Sequence, residues 1–274
     1  MNQAEPVTIV LSREELLLAL RLLQAASLPG LDADPAGTPT PEQMELALFV
    51  ASRGLRARQL ARLDASGRLE LHGALLTAVG VCAYAQNTLF AYHWPGNGET
   101  LTRYFAHLRD ERIVAHTRPE DVLHQFALLP SREKLWLEVL AFCQYSANGS
   151  AATDVGWTLT LPATEFVQVR EWAEDGQMKT AVAHLVNRQI ATDTAQAFVA
   201  ALGQNRRVTI FQTLKQPEAE TVRKRDFTLV QGEDHAWIIV PESGDTAVPG
   251  KATTLHIKTT NQAELLALLT DSIT

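Results

Sequence analysis

Four histidines fall at close intervals in the first half of the chain: His93, His107, His116 and His124. Each lies on its own period-two segment. The segments Thr88 to Trp94, Tyr104 to Arg109, Arg112 to Thr117 and Val122 to Leu128 predict four consecutive strands. With Asp110-Glu111 as a two-residue turn, Phe105 faces His116 and His107 faces Val114, so His107 and His116 share one sheet face, diagonal to each other. Three nearby imidazoles could hold zinc, which takes nitrogen and sulfur ligands in a tetrahedron. The usual ligand spacings are missing: there is no His-x-His, no His-x-x-x-His and no Cys-x-x-Cys, and no acidic residue lies on the four segments that carry the histidines. The expectation is therefore solvent-facing sheet histidines without a metal.

Other chemistry is equally sparse. No Gly-x-Ser-x-Gly nucleophile elbow occurs. Gly96-Asn-Gly98 reads as a turn, because it lacks the Gly-Lys-Ser/Thr ending of a phosphate loop. The carboxylate pairs Glu14/Glu15 and Asp110/Glu111 sit at a helix cap and a turn tip, where charge is ordinarily structural. Cys82 and Cys143 lie in apolar surroundings and read as buried free thiols. These features predict a non-enzymatic protein with no catalytic residues, no bound metal and no cofactor.

Composition narrows the partners. The net charge of the 274-residue chain is −7, and no run of five like charges occurs. Nucleic acid binding needs clustered Lys and Arg; Arg53, Arg56, Arg58 and Arg62, and the run Arg223-Lys-Arg225, read as solvated faces. A winged-helix-like regulator is the alternative reading, because two helices precede the strands in each half, and Arg188, Arg206 and Arg207 could meet phosphate. Glu174, Asp175 and Asp193 beside them argue against it. The N-terminus has neither the basic start nor the apolar core of a secretion signal, and the longest nearly apolar run, Leu75 to Ala85, is too short to span a bilayer. A cytoplasmic protein with no membrane contact is expected.

The elements that would position a binding surface read as one plan written twice. A strand, Val7 to Leu11, leads into a helix capped by Ser12 with Glu15 in the capping-box position. A second helix starts at Thr40-Pro-Glu-Gln43 and is expected to end at Gly54, and a third runs from Gly73 to Tyr84. The four strands follow, and a helix from Ser131 to Phe142 closes the half. Gln144 to Gly156, small and polar, reads as a linker. The plan then returns as a strand, Trp157 to Leu161, three helices (Ala163 to Ala173, Gln177 to Asn187, Thr194 to Leu202), and four strands (Arg207 to Leu214, Asp226 to Gln231, Ala236 to Pro241, Thr253 to Thr259). A final helix, Ala263 to Leu269, is expected to be capped by Thr260. Phe105, Glu111, Pro119 and Glu120 fall on Phe227, Glu233, Pro241 and Glu242 at one constant spacing.

This order predicts an α+β fold. Tandem-duplicated β-α-α-α-β-β-β-β-α units, residues 1–143 and 157–274 joined by 144–156, would share one central antiparallel sheet of pseudo-two-fold symmetry with helices packed on it. Joining two open meanders would bury edges that soluble proteins avoid exposing; two separate α+β domains is the alternative. The two closing helices are apolar on more than one face, through Leu135, Trp136, Leu137, Val139 and Leu140, and through Leu265, Leu266, Leu268, Leu269 and Ile273. Such helices are buried or meet a partner.

At the level of words, Ile9-Val-Leu-Ser-Arg-Glu-Glu-Leu-Leu-Leu18 resembles the start of the EspG family. The Leu28-Pro-Gly-Leu31 loop, the segment Glu42 to Leu55 ending Ser-Arg-Gly-Leu, and Arg112 to Glu120 are also similar to it. That family supplies cytosolic chaperones to type VII (ESX) secretion systems, on a quasi-two-fold α+β fold. The resemblance implies binding of a hydrophobic helical tip of a PE–PPE-type substrate. It points to the loop Pro95 to Thr100 and the helix Ala263 to Ile273, hence to Trp94, Pro95, Asn97, Leu265, Leu266, Leu269 and Ile273 as candidate contacts. The partner expected is another protein, helical and hydrophobic; the oligomeric state is left open.

Overall fold

Strand β1 (Val7–Ser12) ends on the residue that caps helix α1 (Arg13–Leu22). The Ser12 hydroxyl accepts from the Glu15 amide, and the Glu15 carboxylate accepts from the Ser12 amide at 3.0 Å, which closes the expected capping box. Thr40 and Gln43 do the same for α2 (Pro41–Ala57). That helix passes through Gly54 rather than ending there. A Cβ at Gly54 would stand 3.0 Å from a Glu15 carboxylate oxygen, so the glycine serves close packing. A short hairpin, β2 (Ala61–Leu63) and β3 (Leu69–Leu71), follows and was not anticipated. Asp64 builds its turn by accepting from the amides of Ser66 and Arg68.

Helix α3 (Gly73–Ala83) precedes the meander β4 (Asn87–Trp94), β5 (Thr102–Arg109), β6 (Arg112–Glu120) and β7 (Leu123–Leu129), and α4 (Arg132–Phe142) closes it. The rest comprises β8 (Thr158–Pro162), α5 (Ala163–Glu174), α6 (Met178–Asn187), α7 (Thr192–Ala201), β9 (Arg207–Lys215), β10 (Arg223–Gln231), β11 (Ala236–Pro241), β12 (Thr254–Thr260) and α8 (Gln262–Ile273). The cap of α8 is Asn261, which accepts from the Glu264 amide at 2.9 Å; Thr260 instead belongs to β12. These assignments come from a computed structural model that describes residues 7–32, 37–96, 98–145, 156–203, 206–215, 223–242 and 253–273. Most of the expected linker, 144–156, lies outside the described residues.

Ten strands form an antiparallel sheet in the order β1-β7-β6-β5-β4-β9-β10-β11-β12-β8. The β5–β6 register sets Phe105 against His116 and His107 against Val114, as the two-residue turn requires. Phe105 lies on β5 and Phe227 on β10, and Pro119 on β6 and Pro241 on β11, so the paired positions occupy matching places in the element order. The chain divides into two compact units, Met1–Leu89 with Arg103–Leu137 and Leu214–Arg223, and Phe90–Thr102 with Glu138–Thr213 and Lys224–Thr274.

In the first unit α1, α2 and α3 cover one sheet face, where Leu16, Leu55, Leu75 and Val79 meet Leu11, Val114 and Phe126. Arg58, just past α2, ion-pairs with the largely buried Glu15 at 2.8 Å and donates to the Val10 carbonyl of edge strand β1. In the second unit α5, α6 and α7 pack on the sheet, with Val169, Leu185, Phe198 and Val199 against Leu161, Val230, Trp237 and Ile257.

Candidate functional site

The four strand histidines do not face solvent. His93, His107, His116 and His124 are all at most 1% exposed, which overturns the expectation. In the first unit the reason is the helical cover: the face of β5–β7 that carries three of them also carries Val114 and Phe126 of the core. The rings of His107 and His116 stack at 5.8 Å, and those of His116 and His124 at 5.3 Å. His116 Nε2 and His124 Nδ1 share one hydrogen bond of 3.0 Å, and Thr88 Oγ1 stands 3.4 Å from His107 Nδ1. The loop after α1 seals the cluster. Gly30, at φ +90°, lies so close that a Cβ there would stand 2.9 Å from Phe105 and 3.1 Å from His116. Asp32 holds the loop down through Arg103 and Arg118, each at 2.5 Å.

A nitrogen–nitrogen hydrogen bond exists only while one ring lacks a proton, and burial disfavours charge. Burial pushes His107 down to about 3 and His124 down to about 4, the latter helped by Arg118 and Arg13. His116 is held well below its ordinary value by burial and by its two histidine neighbours. Among the described residues, no group of three His, Cys, Asp or Glu side chains is placed to hold a metal. The neutral cluster is a packed core feature. His93, in the second unit, bonds Thr209 Oγ1 at 2.8 Å and lies 5.7 Å from the Phe142 ring.

The second unit also holds an open groove of about 550 Å³. Strand alternation builds its floor. On β9, Thr209, Phe211 and Thr213 turn to the fully buried side, which leaves Val208 and Ile210 on the other. Thr228 and Val230 continue that surface on β10, and Trp94, half-buried at the end of β4, continues it across the sheet. Phe166 of α5 and Leu202 after α7 form the helical wall, and Gly96, Gly98 and Glu99 form the other. The rim is charged. Arg206 and Arg170 both engage Glu174, and Arg206 also donates to the Leu202 and Gly203 carbonyls at 3.0 and 3.3 Å, where it meets the negative end of α7. An apolar floor beneath a polar rim suits an apolar side-chain cluster better than a charged ligand.

Of the candidate contacts, Trp94 lines this groove and Pro95 starts the loop at its mouth; Asn97 lies outside the described residues. On α8, Leu265, Leu269 and Ile273 are at most 1% exposed, and Leu266 is half-buried. Arg225 fastens that helix to β10 through Asp271 at 2.7 Å. The arginines considered for phosphate are engaged elsewhere: Arg188 by Glu165, Arg206 by Glu174, and Arg207 by the Gln144 carbonyl at 2.8 Å. No helix among the described residues is long and apolar enough to cross a membrane.

No known protein family model matches the chain, and no curated protein matches it by sequence. Solved structures do. The Mycobacterium tuberculosis type VII secretion system chaperone EspG5, solved in complex with the PE25–PPE41 dimer, superposes with a TM-score of 0.65 over 98% of this chain and 97% of its own, at 11% identity. This is the EspG fold. Within the EspG fold of this chain, the groove gathers residues that sequence reasoning left out: Phe166, Arg170, Leu202, Val208 and Ile210. The signal for two of them was present. β9 carries aliphatic residues on one side, Val208 and Ile210, against Thr209, Phe211 and Thr213 on the other. The helical wall depends on how α5 and α7 pack, which no local pattern shows.

Proposed function

We propose that this chain is a non-enzymatic, cytoplasmic chaperone of the EspG kind, whose groove holds the apolar tip of a helical secretion client and keeps it soluble. The observation that carries the reading is the open apolar groove beside the Pro95 to Thr100 loop, in a chain whose EspG fold extends over 98% of its length. The client class follows from the PE–PPE pair that EspG5 holds. A helical tip with two or three large apolar side chains would fill Trp94, Val208, Ile210 and Phe166, and Arg170 and Glu99 would meet its polar flanks. Leu266 and the exposed positions of α8 are what that helix offers to a client, while Leu265, Leu269 and Ile273 anchor it.

The test is co-expression with a PE–PPE-type pair encoded beside the gene, followed by affinity capture and titration. Trp94→Ala and Ile210→Asp, each folded by circular dichroism, are expected to weaken capture at least tenfold, the loss of one apolar anchor of about 1.4 kcal/mol. Capture that is unchanged in both variants would remove the groove from the binding surface.

A further inference from the structure

The outer face of α2 is the strongest feature that the groove does not absorb. Leu46, Phe49 and Val50 are 64%, 59% and 58% exposed. They lie at i, i+3 and i+4, so they form one stripe, opposite the buried Leu48, Ala51 and Leu55. Glu42 and Glu45 precede the stripe on the same face, and Arg53 and Arg56 follow it, all four exposed. Acid near a helix start and base near its end suit the helix dipole on any helix. The dipole gives no reason for three large apolar side chains in water between them.

The stripe is its own complement. We propose that α2 is a homodimer interface, in which α2 of one copy packs antiparallel on α2 of a second copy about a two-fold axis passing between Phe49 and Val50. In that register Phe49 meets the second copy's Val50, and Leu46 lies along the aliphatic stem of the second copy's Arg53. Glu42 and Glu45 come within one residue of Arg56 and Arg53 of the second copy, in reach of their long side chains. Each of the two acid–base pairs occurs twice, as an isologous contact requires. A helical partner of another kind would need acid against Arg53 and base against Glu42; this chain already carries that pattern reversed. Glu42 and Arg56 have no ion-pair partner among the described residues, and Arg53 lies over the Phe49 ring at 5.9 Å. Glu45 already pairs with Arg21 of its own chain at 2.6 Å, both side chains exposed, so the second copy's Arg53 would join that pair rather than meet a lone carboxylate. One helix pair buries less than a standard interface, so the dimer is a weak one.

Sedimentation equilibrium of the full chain at low salt tests this. The average mass is expected to rise from 30.1 kDa toward twice that as concentration increases from about 5 to about 500 µM. Phe49→Asp, and the double variants Glu42→Arg/Glu45→Arg and Arg53→Glu/Arg56→Glu, are each expected to stay monomeric over that range. An equimolar mixture of the two charge variants is expected to regain the heavier species. A wild-type mass that stays at the monomer value at about 500 µM overturns the proposal. So does a Phe49→Asp protein that associates like wild type, or a mixture of the charge variants that stays monomeric.

Discussion

Lowering the pH from 8 to 5 is expected to destabilise this protein by about 4 kcal/mol, well before its carboxylates titrate. Unfolded histidines take up protons near pH 6.5. In the fold, His107 does so only at about 3 and His124 at about 4. Their depressed values mean that the folded state favours the neutral rings. The resulting stability is complete above pH 6.5 and is lost as pH falls below it, because the unfolded state then binds protons that the folded state refuses. At pH 5, about 1.5 pH units below the unfolded value, each of the two histidines has cost about 2 kcal/mol. His116 acts in the same direction. Against a total stability of about 5–15 kcal/mol, this corresponds to a fall in Tm of about 10 °C. Thermal unfolding followed by circular dichroism at half-unit pH steps is the assay. His107→Gln should lose about a third of the drop between pH 7 and pH 5. A Tm that stays flat across that window, or an undiminished drop in His107→Gln, would refute the reasoning.

Three other outcomes follow from local geometry. Gly30→Ala combines a positive φ with a Cβ 2.9 Å from Phe105, and is expected to cost about 1–3 kcal/mol in urea unfolding. Glu15→Ala removes both the capping box of α1 and the partner of Arg58, a loss of about 2 kcal/mol; Glu15→Gln keeps the cap and should lose less. Cys82 and Cys143 are fully buried, with burial pushing the Cys143 thiol up to about 12, so a thiol reagent at pH 8 should label neither until denaturant is added.

The sequence carried some of these features openly and concealed others. The capping boxes at Ser12 and Thr40 were legible because they are short-range and use few residue types. The Phe105–His116 register was legible because turn length dictates it. Gly54 misled because a glycine that ends a helix and one that admits a neighbour look alike; only the approach of Glu15 separates them. The hairpin at Asp64 to Gly67 was legible in its turn residues but hidden by two three-residue strands. The histidines misled most. Alternation identifies two faces of a strand, but it does not say which face a helical layer will cover. The groove was half visible, through Trp94 and the β9 alternation, and half set by helix packing.

The guanidinium of Arg58 has a further consequence. β1 stands at one end of the sheet, so its outward carbonyls are a template on which a stray strand could grow. By occupying the Val10 carbonyl, Arg58 places a charge where a foreign amide would dock. At the far end β8 finishes on Pro162, a residue with no amide hydrogen to offer. Closed in this way, the two rims of the sheet discourage strand-by-strand growth, so the fold does not seed aggregates of itself.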